Sequence, residues 1–283
     1  MKRKLIVSAS TLTMAQKLKR QGADECVFAL EGFSVTPLAK HTFDELKEPD
    51  SFGVLVNRSF YEEDLESLSS LMQELSDTNV SSVYFSDPAV LQLAGTMKNR
   101  LVYRPETLAV SPQDITWWLS NGIASVSVSP LLTKEELFSI IRQCPACEVC
   151  IHGHTMMSMS RRRLLSAYRQ YGTSDFTAEE NTHLTLKEEK RDYHMPVYED
   201  AYGTMIHTDY VQESFSIFHE LLEAGMTRCY VDTVYLSEEE ALQAVLIYRG
   251  LLDGKEMKNE IQAYADTYGD HLSEGYYGQK TIL

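Results

Sequence analysis

Short apolar runs alternate with segments of helical periodicity along most of the chain. Eight of these runs predict strands, because each is short, apolar and closed by polar or turn-forming residues. They cover residues 4–8, 26–30, 52–56, 80–85, 101–103, 123–128, 148–151 and 228–231. Apolar residues at helical spacing lie between most of them, as in Leu65, Leu68, Met72 and Leu75. This alternation predicts a parallel sheet with helices packed outside it.

Capping residues mark several of the predicted helix ends. Gly22 is expected to end a helix over residues 11–21. Thr133 and Glu136 have the spacing of a capping box for a helix over residues 134–142. The helical segments therefore have defined ends, and the connections between strands and helices have the ordinary lengths of βα units.

A strand and helix count of this kind favours a TIM-like (β/α) barrel within the α/β class, and an open sheet is the alternative. The alternation breaks after Tyr171, where a turn signal at residues 200–203 separates two β-like runs. We therefore predict an inserted β-hairpin after the seventh strand, at about residues 193–208. Residues 1–254 are expected to form one barrel-like domain that includes the hairpin. The polar, tyrosine-rich residues 255–283 are expected to form a C-terminal tail that packs on the surface.

Composition and charge narrow the class of protein. The 283 residues are 43% hydrophobic and 24% charged, which is typical of a soluble globular protein. The apolar runs are too short to span a bilayer, and the first one is too short for a signal peptide. We therefore expect a cytoplasmic protein that does not associate with a membrane. The net charge of −15 does not attract nucleic acid by its overall field, so RNA contact would need a local basic patch or a more basic partner.

Polar side chains follow several predicted strands, at the end where parallel α/β proteins collect their sites. The candidate pocket residues are His152, His154, Arg162, Asp232, Asn57 and Asp87. Asn57, Asp87 and Asp232 could also be capping residues, and both explanations stay open. His152 and His154 would lie on the same side of an extended strand and could hold a metal. No third ligand is evident near them, so we predict no metal site.

Three consecutive arginines, Arg161 to Arg163, lie in the first turn of a predicted helix. Guanidinium groups bind phosphates and carboxylates well, and positive charge at a helix N-terminus is unfavourable unless an anion binds there. The free amides of a first helical turn would favour the same anion. The two alternatives are an anion-binding Arg162 and a solvated helical turn.

Three of the five cysteines, Cys144, Cys147 and Cys150, have the spacing of an iron–sulfur or zinc site. Pro145 lies between the first two, Cys150 belongs to a predicted buried strand, and a fourth cysteine is absent nearby. These features favour free thiols without a cofactor, as expected for an odd number of cysteines in a cytoplasmic chain.

Four motifs are spread along most of the chain. One segment contains His152-Gly153, Ser158, Ser160, Arg162 and Leu164-Leu165-Ser166. The others are Asp87-Pro88-Ala89-Val90-Leu91, Pro196-Val197-Tyr198-Glu199-Asp200 and Tyr230-Val231-Asp232. The first resembles the signature segment of the collagenase-like peptidase family, peptidase family thirty-two, and the others resemble further motifs of that family in the expected order. Met156 and Arg163 stand at the two cysteine positions of the signature. The resemblance therefore implies that this chain does not hold the iron–sulfur cluster of the cysteine-bearing relatives.

The resemblance implies two classes of function. Some relatives are peptidases, and others take part in hydroxylating RNA pyrimidines such as the wobble uridine of tRNA, with prephenate as a required metabolite. Cysteine-poor members of the RNA branch resemble partner subunits of the cysteine-bearing ones. We therefore expect an accessory or substrate-positioning subunit in tRNA 5-hydroxyuridine formation. Its expected partners are a cysteine-bearing paralogue and, through it, tRNA.

No cofactor is expected beyond a small carboxylate ligand such as prephenate. Independent catalysis is doubtful because Val128-Ser129-Pro130-Leu131 replaces an Arg–Glu pair expected from the family. The alternatives are a collagenase-like peptidase and a non-catalytic barrel that binds small anions.

Overall fold

The computed structural model describes residues 3–46, 51–172, 176–189 and 194–279. Its strands are β1 Lys4–Ser8, β2 Glu25–Leu30, β3 Lys40–His41, β4 Phe52–Val56, β5 Val80–Phe85, β6 Leu101–Tyr103, β7 Ser125–Val126, β8 Glu148–Ser160, β9 Thr185–Lys187, β10 His194–Asp200, β11 Gly203–Glu213, β12 Arg228–Val231 and β13 Leu272–Ser273. Its α-helices are α1 Leu12–Gln21, α2 Leu65–Ser76, α3 Pro88–Leu93, α4 Pro112–Ser120, α5 Lys134–Gln143, α6 Leu164–Tyr171, α7 Phe218–Ala224, α8 Glu238–Leu252 and α9 Lys258–Tyr268. The predicted α/β class is confirmed.

The strands form one curled, mixed sheet. Its main path runs β7-β6-β5-β4-β2-β1-β12-β8-β11-β10-β9, with β13 beside β11 and β3 beside β2. Neighbouring strands from β7 to β8 along this path are parallel, whereas β8, β11, β10 and β9 pair antiparallel. The sheet path is open, but β7 and β8 approach each other through an isolated parallel bridge between Ser127 and Glu148. The Val128 amide donates to the Glu148 carbonyl oxygen at 2.9 Å beside this bridge.

The parallel strands are buried on both faces, as expected for a sheet covered by helices. In β1, Leu5 and Val7 belong to the large apolar core under the helices, while Ile6 belongs to a second core on the other face. That second core includes Tyr84 and Tyr230, whose ring centroids are 5.5 Å apart. The helix boundaries follow the predicted caps: Thr133 and Glu136 form a capping box, and Gly22 ends α1 with a φ of 109°. No helix in the described ranges is long and apolar enough to cross a membrane.

Strand β8 is much longer than the sequence predicted. The predicted strand ended at residue 151, but β8 continues to Ser160. Its second half pairs antiparallel with β11, which lies about fifty residues later in the chain. Local periodicity misses such a strand, because its pairing partner is distant in sequence and its side chains are only partly buried.

An antiparallel hairpin of β10 and β11 comes between β8 and β12 in the chain, and in the sheet it lies on the side of β8 opposite to β12. It extends to Glu213, beyond the predicted end near residue 208, and the predicted starting position 193 lies outside the described residues. The C-terminal segment, expected to pack on the surface, also reaches the interior: Tyr264 of α9 and Tyr277 are buried. This follows from the apolar faces of α9 and α8, which pack together around Ile247 and Tyr264.

Candidate functional site

A small cavity lies at the carboxyl ends of the parallel strands and has a volume of about 30 Å³. It is lined by Thr36, Leu38, Leu55, Asn57, Arg104, Glu106, His154, Met156, Met205, His207, Tyr230, Asp232 and Val234. A second cavity of about 240 Å³ shares Asn57, Glu106 and Met156 with it and is otherwise lined largely by methionines and the 105–108 loop. We call these two spaces the inner and the outer cavity. Three of the six predicted site residues, Asn57, His154 and Asp232, line the inner cavity.

Arg104 is the charged centre of the inner cavity and is almost fully buried. Its Nη2 atom donates to Asp232 Oδ2 at 2.7 Å, and its Nε atom lies 3.3 Å from Glu106 Oε1. The guanidinium carbon lies 4.1 Å from the centroid of the Tyr230 ring. Burial opposes the charge of Arg104, but Glu106, Tyr230 and Asp232 outweigh it and raise the pKa of Arg104 well above its usual value. Arg104 is therefore a permanently charged group whose charge is balanced by neighbouring carboxylates.

Arg104 and Glu106 were absent from the residues predicted from sequence. Both follow the strand predicted at residues 101–103, as Asn57 and Asp232 follow theirs, so the same criterion would have included them. Burial raises the pKa of Glu106, and Arg104 only partly offsets this effect.

Two buried polar atoms in the inner cavity have no hydrogen-bond partner among the described residues. They are Nδ1 of His207 and the hydroxyl of Tyr230, whose residues are 4% and 0% exposed. Leaving such an atom unpaired costs about 1–3 kcal/mol. Unpaired buried polar atoms are therefore uncommon in a folded interior unless a ligand or water completes the site. Burial also lowers the pKa of His207 to about 4, so the imidazole is neutral at neutral pH.

Asp232 is held in place through both its side chain and its backbone. Its Oδ1 accepts from Ser8 Oγ at 3.2 Å and from the Val234 amide at 3.1 Å, and its own amide donates to the His152 carbonyl at 2.8 Å. Gly153 has a φ of 133°, and a Cβ atom at this position would lie 2.5 Å from the Asp232 carbonyl oxygen. Glycine is therefore required for β12 to end beside β8, and it sets the position of the carboxylate that binds Arg104.

His154 and Asn57 also make defined contacts. The His154 Nδ1 atom lies 2.7 Å from the Thr208 carbonyl oxygen, which can only accept, so this nitrogen carries the proton and Nε2 is an acceptor. Burial lowers the pKa of His154. The Asn57 amide exchanges two hydrogen bonds with the backbone of Val35, at 3.0 and 3.1 Å. Asn57 thus fastens the loop that forms one wall of the cavity.

His152 lies outside this cavity. It is fully buried, with Nε2 2.9 Å from the Tyr264 hydroxyl and Nδ1 3.4 Å from the Tyr248 hydroxyl. Burial lowers the pKa of His152 to about 3. The two histidines were expected on the same side of a strand, but the unusual backbone at Gly153 lies between them and breaks the alternation. His152 connects β8 to the C-terminal helices.

Arg162 and Asp87 do not line the cavity either. Arg162 is exposed, and the α6 amides expected to favour an anion are already bound: those of Leu165 and Ser166 donate to Glu199 at 2.7 and 3.1 Å. Asp87 accepts from the amides of Ala89 and Phe60, each at 2.9 Å, and it caps α3. The predicted convergence of His152, Arg162 and Asp232 is therefore not what the structure contains.

The cysteines are buried or partly buried free thiols. No group of three or more histidine, cysteine or acidic side chains in the part of the chain that the structure describes is arranged to hold a metal ion. Burial raises the pKa of Cys147 and of Cys150 to about 12, so both thiols are neutral, and Cys144 donates to the Pro112 carbonyl oxygen at 3.6 Å.

Known proteins resemble this chain at the level of both sequence and structure. The family model described as Peptidase family U32 matches residues 10–281. A Bacillus subtilis protein named "tRNA hydroxylation protein P2" is 25% identical over 213 residues, which cover 73% of this chain and 69% of that protein. A chitinase from Chromobacterium violaceum has a TM-score of 0.42 at 9% identity, covering 88% of this chain and 99% of that one. The spore cortex-lytic enzyme SleL of Bacillus cereus also has a TM-score of 0.42, at 7% identity, covering 87% and 74%.

Proposed function

Because this chain belongs to peptidase family U32, we propose that it acts in the cytoplasm as an accessory, substrate-positioning subunit in tRNA 5-hydroxyuridine formation. The similarity to the Bacillus subtilis protein named for tRNA hydroxylation, which extends over 213 residues, carries this proposal. Both the family and that relative fit a role in tRNA modification.

The chemistry of the inner cavity supports positioning rather than proton transfer. A histidine whose pKa is lowered to about 4, as in His207, is a weak base at neutral pH. It offers a neutral ring nitrogen for hydrogen bonding, and the buried Tyr230 hydroxyl offers a second polar contact. Arg104 adds a fixed charge that is held by two carboxylates. These groups are suited to orienting a small polar molecule.

The ligand in this proposal is a small carboxylate such as prephenate, with Arg104 taking the role that the sequence suggested for Arg162. The proposal is supported by the outer cavity, which has a volume of about 240 Å³ and shares Asn57, Glu106 and Met156 with the inner cavity. A guanidinium group in a partly dry site is the side chain best suited to bind a carboxylate.

The partner in this proposal is a cysteine-bearing paralogue that covers α6 and brings the tRNA. None of the residues of α6 is buried, and Leu164, Tyr168 and Tyr171 are 44%, 64% and 91% exposed. Tyrosine and arginine are the residues that contribute most to binding at protein interfaces, and Arg162 lies next to this face without an ion pair to another described residue. A short helix with an exposed apolar face gains stability when a partner covers it.

We further infer that the parallel strands close into a TIM-like barrel. The bridge between Ser127 and Glu148 joins the two ends of the parallel series, and the cavity lies at the carboxyl ends of the strands, as in barrel enzymes.

The test is nucleoside analysis of tRNA from a strain that lacks this protein. We expect 5-hydroxyuridine and its derivatives to disappear, to return with the wild-type gene and with the exposed control Arg20→Ala, and to return poorly with Arg104→Gln. Normal hydroxyuridine in the deletion strain would refute the proposal. Hydroxylation by the purified chain alone would refute the accessory role, and hydrolysis of denatured collagen would favour a peptidase instead.

A further inference from the structure

Glu106 is the charged residue among the three that line both cavities, and the other two are Asn57 and Met156. It lines both of them, whereas Arg104 lines only the inner one. Its carboxylate covers the Nε edge of the Arg104 guanidinium at 3.3 Å, which is longer than the 2.7 Å contact between Arg104 and Asp232. An anion that binds at this edge of Arg104 must therefore take the place of the Glu106 carboxylate.

Glu106 adopts this position at a conformational cost. Its φ is 58°, in the left-handed region that residues other than glycine rarely adopt, and it follows the rigid Pro105. Burial also raises the pKa of its carboxyl group, which means that the surroundings disfavour its charged form. Burial of the carboxyl group therefore opposes the charged form of Glu106 that pairs with Arg104.

The second carboxylate on Arg104 is held much more firmly. Asp232 accepts hydrogen bonds from Ser8 Oγ and from the Val234 amide, and its backbone is fixed against β8. Arg104 therefore has one fixed carboxylate on its Nη2 atom and, on its Nε atom, one carboxylate for which no further hydrogen bond is found among the described residues. If a carboxylate is exchanged, the structure favours exchange of Glu106.

We propose that the Nε edge of Arg104 is a carboxylate-binding position, and that a small carboxylate entering through the outer cavity displaces Glu106 from it. Exchange of one carboxylate for another leaves the charge around Arg104 unchanged, provided that Glu106 moves into solvent. The outer cavity is lined by Met156, Met157, Met159 and Leu108, so the ligand should carry an apolar body behind its carboxylate. The inference rests on the proposed function only in using the same site.

The test compares phenylacetate with its uncharged analogue phenylacetamide, by calorimetric titration of the full chain. Glu106→Gln keeps the shape of the side chain and removes the competing charge, so we expect phenylacetate to bind about ten-fold more tightly, which corresponds to ~1.4 kcal/mol. Phenylacetamide should bind this variant and wild type equally. Glu63→Gln, a change of the same kind at an exposed position outside the linings of both cavities, should alter neither affinity.

Equal or weaker binding of phenylacetate to Glu106→Gln, or an equal gain for phenylacetamide, would overturn the inference. Arg104→Gln should abolish the preference for the acid over the amide, and a melting curve shows whether this variant is folded. The titration of Glu106→Gln tests the inference whether or not Arg104→Gln is folded. The outcome is independent of the tRNA experiment: tighter binding with normal hydroxyuridine in the deletion strain would remove the proposed function and keep the carboxylate position.

Discussion

Replacement of Gly153 by alanine should destabilise the protein for two separable reasons. The first is conformational: at a φ of 133° an alanine pays about 1–2 kcal/mol relative to glycine. The second is steric, because the new Cβ atom would lie 2.5 Å from the carbonyl oxygen and 2.8 Å from Cβ of Asp232. Such contacts force the backbone to shift, at a further cost of about 1–3 kcal/mol.

Gly225→Ala is the matched control for this change. Gly225 has a φ of 106° at the end of α7, and a Cβ atom there would meet no atom within 4 Å. It should therefore show the conformational cost alone, about 1–2 kcal/mol. We expect Gly153→Ala to lower the free energy of unfolding by about 2–5 kcal/mol in urea titration. Equal effects of the two substitutions would refute the reasoning, since the contact with Asp232 would then contribute nothing.

Three further predictions concern buried ionisable groups elsewhere in the protein. Glu199→Gln should lower the free energy of unfolding by about 1–3 kcal/mol, because one of the two buried carboxylate oxygens that accept from the first α6 amides is replaced by an NH2 group. Faster amide hydrogen exchange in α6 should report this loss. Burial lowers the pKa of His207 to about 4 and that of His152 to about 3. Below a pH of about 6.5 the unfolded chain therefore binds more protons than the folded chain. The free energy of unfolding, measured by urea titration, should fall as the pH is lowered from there toward 4. Burial raises the pKa of Glu213 to about 7, so at this site the folded chain binds more protons than the unfolded chain and gains stability as the pH falls. Glu213→Gln removes this gain and should make the free energy of unfolding fall more steeply with falling pH. Cys147, whose pKa burial raises to about 12, should react with iodoacetamide at pH of about 8 only after denaturation.

The parts of the fold that depend on local pattern could be predicted from the sequence. The strand at Phe52–Val56 and the capping box of Thr133 and Glu136 were both identified, because burial and capping leave a signal within a few residues. The second half of β8 was missed, because its strand character depends on pairing with β11. Sequence periodicity does not contain that information.

The candidate site was predicted in part, for a related reason. Asn57, His154 and Asp232 follow parallel strands, whose ends meet at one edge, and they line one cavity. Arg104 also follows a predicted strand and could have been selected on that ground, but its burial and its pairing with Asp232 are visible only in the structure. Arg162 was selected for the free amides of a first helical turn, and Glu199 already binds those amides.

The role expected from the sequence and the role found in the structure differ most at His152 and Gly153. The sequence suggested a chemical role for His152, but its ring contacts Tyr248 and Tyr264 and holds the C-terminal helices against β8. Gly153 allows the end of β12 to approach β8, and the His152 carbonyl oxygen accepts from the amide of Asp232. Because the same Asp232 carboxylate binds Arg104 at 2.7 Å, this pair acts on the cavity through the backbone. A substitution at either position should therefore change ligand binding by moving Asp232, without removing any group that contacts the ligand.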